Sequence, residues 1–423
     1  MAKQGTKMVT PRLRFPEFRD AGAWTSAALG TITCLVTERV GSTECVPYTV
    51  TSGLGLVSQQ EKLGRTIAGQ SLKNYLVLQQ EDFAYNKSAT KAYPQGYIAR
   101  YDGSDRAAVP NSIFTCFRIK DGDVHPIFLE NLFVSNLHGD WLRGRIAVGA
   151  RAHGSLNVSD NDLMALPIPL PPVECRREEQ QKIADCLTSL DEVIAAQGRK
   201  VEALKAHKRG LMQQLFPHEG ETRPRLRFPE FRNAPEWRAT SVGAWSKSFS
   251  GGTPATTRSD YYGGAIPFIR SAEIESEKIE LSLTETGLKA SSAKLVERGD
   301  VLLALYGANS GDVALARTSG AINQAILCIR PHGSRPFLYH YLTALQPWLV
   351  ATYLQGGQGN LSGEIVKSVG ILVPSNEEQQ RVAVCLTSLD ARINAETDRL
   401  ASLKTHKQGL MQQLFPAPEA LSA

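Results

Sequence analysis

The chain has little of what secreted, membrane or metal-dependent proteins need. No apolar run approaches the ~20 residues of a bilayer-crossing helix, and the longest, residues 163–173, carries four prolines. The opening MAKQGTKMVT has no apolar core of the secretory type. Seven cysteines, odd in number and without a Cys-x-x-Cys pair, argue against a disulfide scaffold or structural zinc. Eight scattered histidines include no His-Glu-x-x-His, and no Gly-x-x-x-x-Gly-Lys-Ser/Thr phosphate loop occurs. These absences point to a cytoplasmic chain with no metal of its own.

What is present is of ordinary composition: 423 residues, 42% hydrophobic, with 47 Lys/Arg against 42 Asp/Glu. At ~150 residues per domain this length predicts about three domains. A net charge of +5 is compatible with nucleic acid but too small to argue for it.

Repetition is the strong signal. PRLRFPEFRDAGAWTSAALG (11–30) recurs as PRLRFPEFRNAPEWRATSVG (224–243), with 12 of 20 positions identical. The 40-residue segment 178–217 recurs at 377–416 with 25 identities. The regions between, 31–177 and 244–376, show almost no resemblance. Like parts in both halves predict a pseudo-twofold molecule; unlike parts predict two objects handled in the same way.

In the long repeats apolar residues step by four and three: Ile183, Leu187, Leu190, Ile194, Val201, Leu204, Leu211, Leu215. The second copy gives Val382, Leu386, Leu389, Ile393, Leu400, Leu403, Leu410, Leu414. Gln197 and Lys208, matched by Glu396 and Lys407, fill the two polar slots of each seam. This is a coiled-coil pattern, expected to pair antiparallel within the chain rather than to form a homodimeric zipper. Each helix, roughly 38 residues or about 57 Å long, would act as a rigid spacer. A capping box is expected at Ser375–Glu378, and Pro217 and Pro416 stop the helices. Gly210 and Gly409, each costing about 1 kcal/mol in a helix, mark candidate bends before the LMQQLFP ending. His207 and His406 fall beside the seam and read as surface or interface residues.

Both unlike regions read as mixed α/β, so the fold class is mixed α/β domains joined by two long antiparallel coiled-coil helices. Strands are expected at 46–57, 75–87 and 113–120, and at 266–270, 300–307, 312–316 and 325–331. Helices are expected at 141–150 and 337–354. Candidate nucleic-acid-binding residues cluster in the loops: Tyr85, Asn86, Lys87, Ser88, Lys91 and Arg151 in the first half. In the second they are Gly252, Thr253, Arg258, Tyr261, Arg270, Asn309, Ser310, Gln358 and Asn360. Asn and Gln present paired donors and acceptors to adenine, Arg to guanine, and glycine admits a phosphate close to the backbone. The competing use of each residue is to cap its own turn.

The repeated PRLRFPEF, the proline-rich LPIPLPP (166–172) and ILVP (371–374) before EEQQ, and the LTSLD…GLMQQLFP helices resemble the specificity subunits of type I restriction–modification systems. EDFAYNKSATKAYPQG, GGTP…YYGGAIPFIR, YGANSGDVALA and INQAILCIRP fit the same family. No Asn/Asp-Pro-Pro-Tyr motif or glycine-rich S-adenosylmethionine loop is present, so the chain reads as a recognition subunit without chemistry of its own. The resemblance implies target-recognition domains at 1–172 and 218–374, a central helix at 173–217, a C-terminal helix at 375–416 and a tail at 417–423. Each domain would read half of an asymmetric bipartite double-stranded DNA target, with the helices setting the unread spacer. Two modification subunits would dock on the repeated helices, with Leu190, Ile194, Leu204, Leu211, Leu389, Ile393, Leu403 and Leu410 as docking residues. Motor-nuclease subunits would complete the complex. S-adenosylmethionine, ATP and magnesium would belong to those partners. The alternatives are a stand-alone methyltransferase or nuclease with unfamiliar motifs, and a coiled-coil scaffold that binds no DNA.

Overall fold

The computed structural model describes residues 8–51, 55–120, 122–146, 156–353 and 360–416. Contacts divide the chain into two units: Met1–Ala196 with Arg399–Ala423, and Gln197–Asp398. The long helices Arg176–Leu215 and Asn376–Leu414 each give one half to each unit.

The first unit contains strands β1 (Met8–Val9), β2 (Trp24–Ala28), β3 (Thr33–Leu35), β4 (Val46–Thr51), β5 (Gly55–Ser58), β6 (Leu76–Leu78), β7 (Phe83–Asn86), β8 (Tyr97–Arg100), β9 (Ala107–Val109), β10 (Phe114–Ile119) and β11 (Pro167–Leu170). The second contains β12 (Arg238–Ser241), β13 (Ser246–Ser250), β14 (Tyr262–Ile269), β15 (Ser282–Leu283), β16 (Lys294–Val296), β17 (Val301–Ala304), β18 (Val313–Leu315), β19 (Gly320–Ile322), β20 (Ile326–Pro331) and β21 (Gly370–Val373).

The dissimilar regions share one topology. The first builds a sheet in the order β3-β10-β7-β8 and another in the order β5-β4-β9-β6; the second builds β13-β20-β17-β18 and β15-β14-β19-β16. Even the exceptional parallel pairs match, Val46 opposite Ala107 and Phe268 opposite Ala321. Alternation along the central strands explains the layering. Phe83, Tyr85 and Phe117 face one core while Ala84, Phe114 and Cys116 face another. Val301, Leu303 and Ile329 likewise face one core, and Leu302, Ala304 and Cys328 the other. A sheet covered on both faces needs continuous apolar runs, and these strands supply them. Each domain also buries an aspartate at the start of a central strand. Asp82 accepts two hydrogen bonds at 2.7 Å from Arg118, and Asp300 is held by Arg330 at 2.7–3.1 Å. Burial works against the Asp300 carboxylate, yet the Arg330 hydrogen bonds and the Glu297 N–H keep its pKa below the usual range.

Within each unit the paired helix segments run antiparallel. In the first, Ile183 and Leu187 share a core with Leu410, Met411 and Leu414, and further along Asp191 meets Lys407 at 2.6 Å. In the second, Leu211, Met212 and Leu215 pack with Val382, Ala383 and Leu386, and Lys208 pairs with Asp390. The lysines of the two polar slots thus find matched aspartates. The matched slots Gln197 and Glu396 hydrogen-bond each other at 2.7 Å. Both helices run through Gly210 and Gly409 and end two residues before Pro217 and Pro416, where proline disfavours helix in the residue before it.

The leading motif brackets this pair in each unit. Arg14 donates two hydrogen bonds to Glu179, at 2.7 and 2.6 Å, and Trp24 Nε1 adds a third at 3.2 Å. Arg227 donates two to Glu378 at 2.7 Å, and Trp237 Nε1 a third at 3.3 Å. The hydrogen bonds they donate to Glu179 and Glu378 raise the pKa of each guanidinium above its ordinary value. Next door, Leu13 N–H donates to the Gln413 carbonyl and Leu226 N–H to that of Gln214, both at 2.9 Å, satisfying acceptors that a helix end leaves open. Gln180 and Gln379, the third residues of EEQQ, clamp the backbone of the neighbouring turns at His125 and Ser334.

Several expectations need correction. Residues 75–87 form two strands rather than one, broken by a turn in which Glu81 has φ 73°. The stretch 46–57 is a hairpin, with residues 52–54 outside the described set. The helix expected at 141–150 instead spans Leu137–Leu142, started by left-handed Asn136 and followed by a turn at 143–145; residues 147–150 lie outside the described set. Only half of the capping box forms. Ser375 Oγ accepts from Glu378 N at 3.4 Å, but the Glu378 carboxylate turns away to Arg227.

Removing one member of a buried ion pair strands the other, at about 3–5 kcal/mol. Arg14→Ala, whose pair is 6% and 1% exposed, is therefore expected to lower stability by about that amount. Lys182→Ala, which breaks the exposed pair with Glu17, is expected to cost under about 1 kcal/mol. Urea denaturation of both variants measures the contrast.

Candidate nucleic-acid interface

The loops singled out from sequence emerge at matched places in the two domains. In the first, chain leaving β7 passes through Asn86 and Lys87; Lys87 N–H bonds the Ile113 carbonyl at 2.8 Å and its own carbonyl accepts from Leu156 at 2.7 Å. In the second, Leu305 leaves β17, bonds the Ala325 carbonyl at 2.8 Å and accepts from Leu361 at 2.8 Å. Thus 86–88 lies beside the segment that follows Arg151, and 305–310 beside Asn360. Arg151 and Gln358 themselves lie outside the described residues, as do His153 and Gln355.

Several of the chosen side chains are committed locally. Asn86 Oδ1 accepts from Ser88 N at 3.0 Å, which closes a turn. Lys87 Nζ sits 3.4 Å from Asp160. Tyr85 is fully buried and donates to the Gln95 carbonyl at 2.7 Å; burial pushes its hydroxyl pKa up. It is a core residue, not a surface reader. Asn309 donates to Asp312 at 3.0 Å and Ser310 to the Leu305 carbonyl at 2.8 Å. Lys91 and Asn360 are exposed.

Around β14 the pattern is similar. Arg258 is bidentate to Asp260 at 2.8 Å and lies 4.7 Å from the Tyr261 ring centroid. Arg270 grips Glu273 at 2.8 and 3.0 Å and Glu280 at 2.7 Å, and these carboxylates hold its pKa above the ordinary value. Both guanidiniums are occupied. Gly252 is packed rather than poised for a phosphate: a Cβ there would lie 1.9 Å from Ser292 Oγ. Thr253 does remain on an exposed edge, donating to Gln324 Oε1 at 2.7 Å, while Tyr306 donates to the Gln324 carbonyl. Thr253, Tyr306 and Gln324 form a polar cluster beside the 307–310 loop. Tyr306 was missed because no repeat or period distinguishes a loop tyrosine from a core one.

The expected docking residues differ in how much surface they keep. Leu211 and Leu410 pack against the two cores, Ile393 is buried, and Leu190, Ile194, Leu204, Leu389 and Leu403 are half-buried along the helices. A heptad seam is satisfied by the partner helix of its own pair, which leaves Leu211, Leu410 and Ile393 with little surface and the other five partly exposed. His207 and His406 are exposed, as are Gln213 and Gln412.

Among the described residues no group of three or more His, Cys, Asp or Glu could hold a metal ion. No helix among them is long and apolar enough to cross a membrane.

Comparison with known proteins places this architecture. Residues 236–405 match the type I restriction modification DNA specificity domain. The MjaX specificity subunit of Methanocaldococcus jannaschii is 25% identical over 328 residues, covering 76% of this chain and 74% of that protein. Two solved structures share the fold. One comes from work on complex assembly and conformational transition of the type I R–M system, with TM-score 0.59, 22% identity, and 93% and 98% of the two chains covered. The other is the type I restriction–modification S subunit of M. genitalium, with TM-score 0.58, 14% identity, and 96% and 99% covered. Residues 236–405 carry the type I restriction modification DNA specificity domain, and over most of its length the chain is similar to a type I restriction enzyme specificity subunit. It is a DNA-recognition subunit.

Overpacking a tight site costs about 1–3 kcal/mol. Gly252→Ala is expected to destabilise the second unit by that amount, and adding Ser292→Gly is expected to recover most of it. Denaturation midpoints of the single and double variants decide whether Gly252 serves packing.

Proposed function

We propose that each variable domain reads one half of an asymmetric, bipartite DNA target and that the long helices set the unread spacer between the halves. The observation that carries this reading is the match of topology without match of sequence. Two domains with identical strand order present different loop residues at the same positions, as two readers of different half-sites require. The frame is repeated contact for contact, which suits two identical partners. We assign those partners to two modification subunits. With the leucine seams turned inward, docking falls to outward-facing residues of the repeats, including His207 and Gln213 with their counterparts His406 and Gln412.

On this reading the chain is not catalytic and binds no cofactor. S-adenosylmethionine and adenine methylation with base flipping belong to the modification subunits, and ATP and magnesium to motor-nuclease subunits. The site of action is the cytoplasm, where the DNA is.

Co-expression with the cognate modification subunit, followed by mapping of methylated adenines, tests this. A two-part motif with a fixed unread gap is expected, and the purified chain alone is expected to be inert on DNA with magnesium, ATP and S-adenosylmethionine. Turnover without partners, or a continuous motif, would contradict it.

A further inference from the structure

The first unit carries a loop that none of the functional assignments above uses. It runs from the short helix Gln59–Leu63 through residue 74. Two of its apolar side chains point out, Leu63 at 46% exposure and Ile67 at 60%, while Leu72 packs back on Val40 and Val77. The loop is braced, not loose. Ser58 Oγ caps Glu61 N at 3.1 Å. Gln59, itself buried, accepts from Ile67 N at 2.9 Å, and Gln60 Nε2 bonds the Gly64 carbonyl at 3.1 Å. Gly64 closes the helix with φ 66°, and Ala68 anchors the return at 3% exposure.

Its cations are also unusual for this domain. Twelve lysines and arginines are described between residues 31 and 146. Lys87, Arg100, Arg106, Arg118 and Arg143 pair with carboxylates. Arg39, Lys120 and Arg145 bond backbone carbonyls. The four without such partners among the described residues are Lys62, Arg65, Lys73 and Lys91, and three of these lie in this one loop, which holds a single carboxylate, Glu61.

The second domain shows the ordinary alternative. At the same topological position, after β15, the helix Glu285–Lys289 packs Leu288 against the core of Phe268 and Leu283 and pairs Lys289 with Glu285. In the first domain Leu63 faces solvent, and Lys62 has no carboxylate partner among the described residues.

We infer that Leu63 and Ile67 form an apolar wedge that enters the stacked bases of duplex DNA, with Lys62, Arg65 and Lys73 seated on flanking phosphates. Exposed apolar side chains on a rigid, cationic loop suit a polyanion whose bases offer apolar faces; a wedge of this kind unstacks one base step and kinks the duplex. The first half-site would then be read partly through the ease of deforming it. The inference rests on the DNA-recognition reading and adds to it a contact that is not a base-edge hydrogen bond.

The test uses the complex with the modification subunit and a duplex carrying the mapped motif. Leu63→Ala with Ile67→Ala is expected to weaken binding about tenfold or more while leaving the salt dependence unchanged. Lys62→Ala with Arg65→Ala is expected to flatten the log-affinity against log-salt slope by about 1.8, at ~0.9 per phosphate contact. 2-Aminopurine placed along the first half-site is expected to brighten at one step with the natural chain and not with the apolar variant. Leu63→Lys with Ile67→Lys, which keeps attraction but removes the wedge, is expected to lose the same signal, and an unchanged melting curve for each variant confirms folding. Natural affinity and signal in the apolar variant would overturn the wedge, as would loss of the modification subunit with DNA contact intact, which would make the loop a protein-docking site. Failure of the natural complex to bind the mapped duplex would instead overturn the half-site reading itself.

Discussion

The fold depends on one buried interaction used twice: an arginine of the leading motif held by a glutamate near the start of a long helix. Arg14 with Glu179, and Arg227 with Glu378, are almost completely withdrawn from water. Such a pair is not a large net stabiliser, because desolvation consumes most of the attraction. Its value is positional. The guanidinium donates two parallel hydrogen bonds to a carboxylate lying in its plane, and the neighbouring tryptophan uses the same carboxylate. One residue away, the motif's backbone takes a carbonyl from the end of the other long helix. Each leading motif therefore fixes the start of one helix against the end of the other, and the seam between them sets in register.

With that frame fixed, the variable domains are free to differ. Their common demands are few: a sheet buried on both faces, a buried aspartate at the head of a central strand, and an arginine to neutralise it. Any sequence that alternates suitable apolar residues between two cores satisfies the first demand. This is why two regions with almost no identity reach the same strand order. Recognition of different DNA would be written in the loops, those that leave β7 and β17 among them.

The frame was legible because it is duplicated and periodic. Helix length, the proline stops and the polar seam positions follow from spacing alone, and the structure adds only what those polar residues pair with. The shared topology of the variable domains was not legible. Its sequence trace is thin: Asp82 and Asp300 at strand starts, Thr115-Cys116-Phe117-Arg118 and Leu327-Cys328-Ile329-Arg330 on the matched strands. The recognition residues were least legible, because an asparagine or arginine in a polar loop looks the same whether it reads a base or closes its own turn. Asn86, Arg258 and Arg270 have local partners, and Tyr85 is core. The leucines assigned to docking sit at the heptad positions that were also expected to pair within the chain, and the pattern does not say how much of each side chain such pairing leaves exposed.

The central claim is that one repeated frame carries two interchangeable readers. It is tested most directly by replacing residues 244–369 with a second copy of residues 31–166, at the matched ends of the two domains, and mapping adenine methylation by the complex. Two identical readers on this frame predict a symmetric motif built from two inverted copies of the first half-site. An assembled, active complex that still methylates the original asymmetric motif would contradict the account.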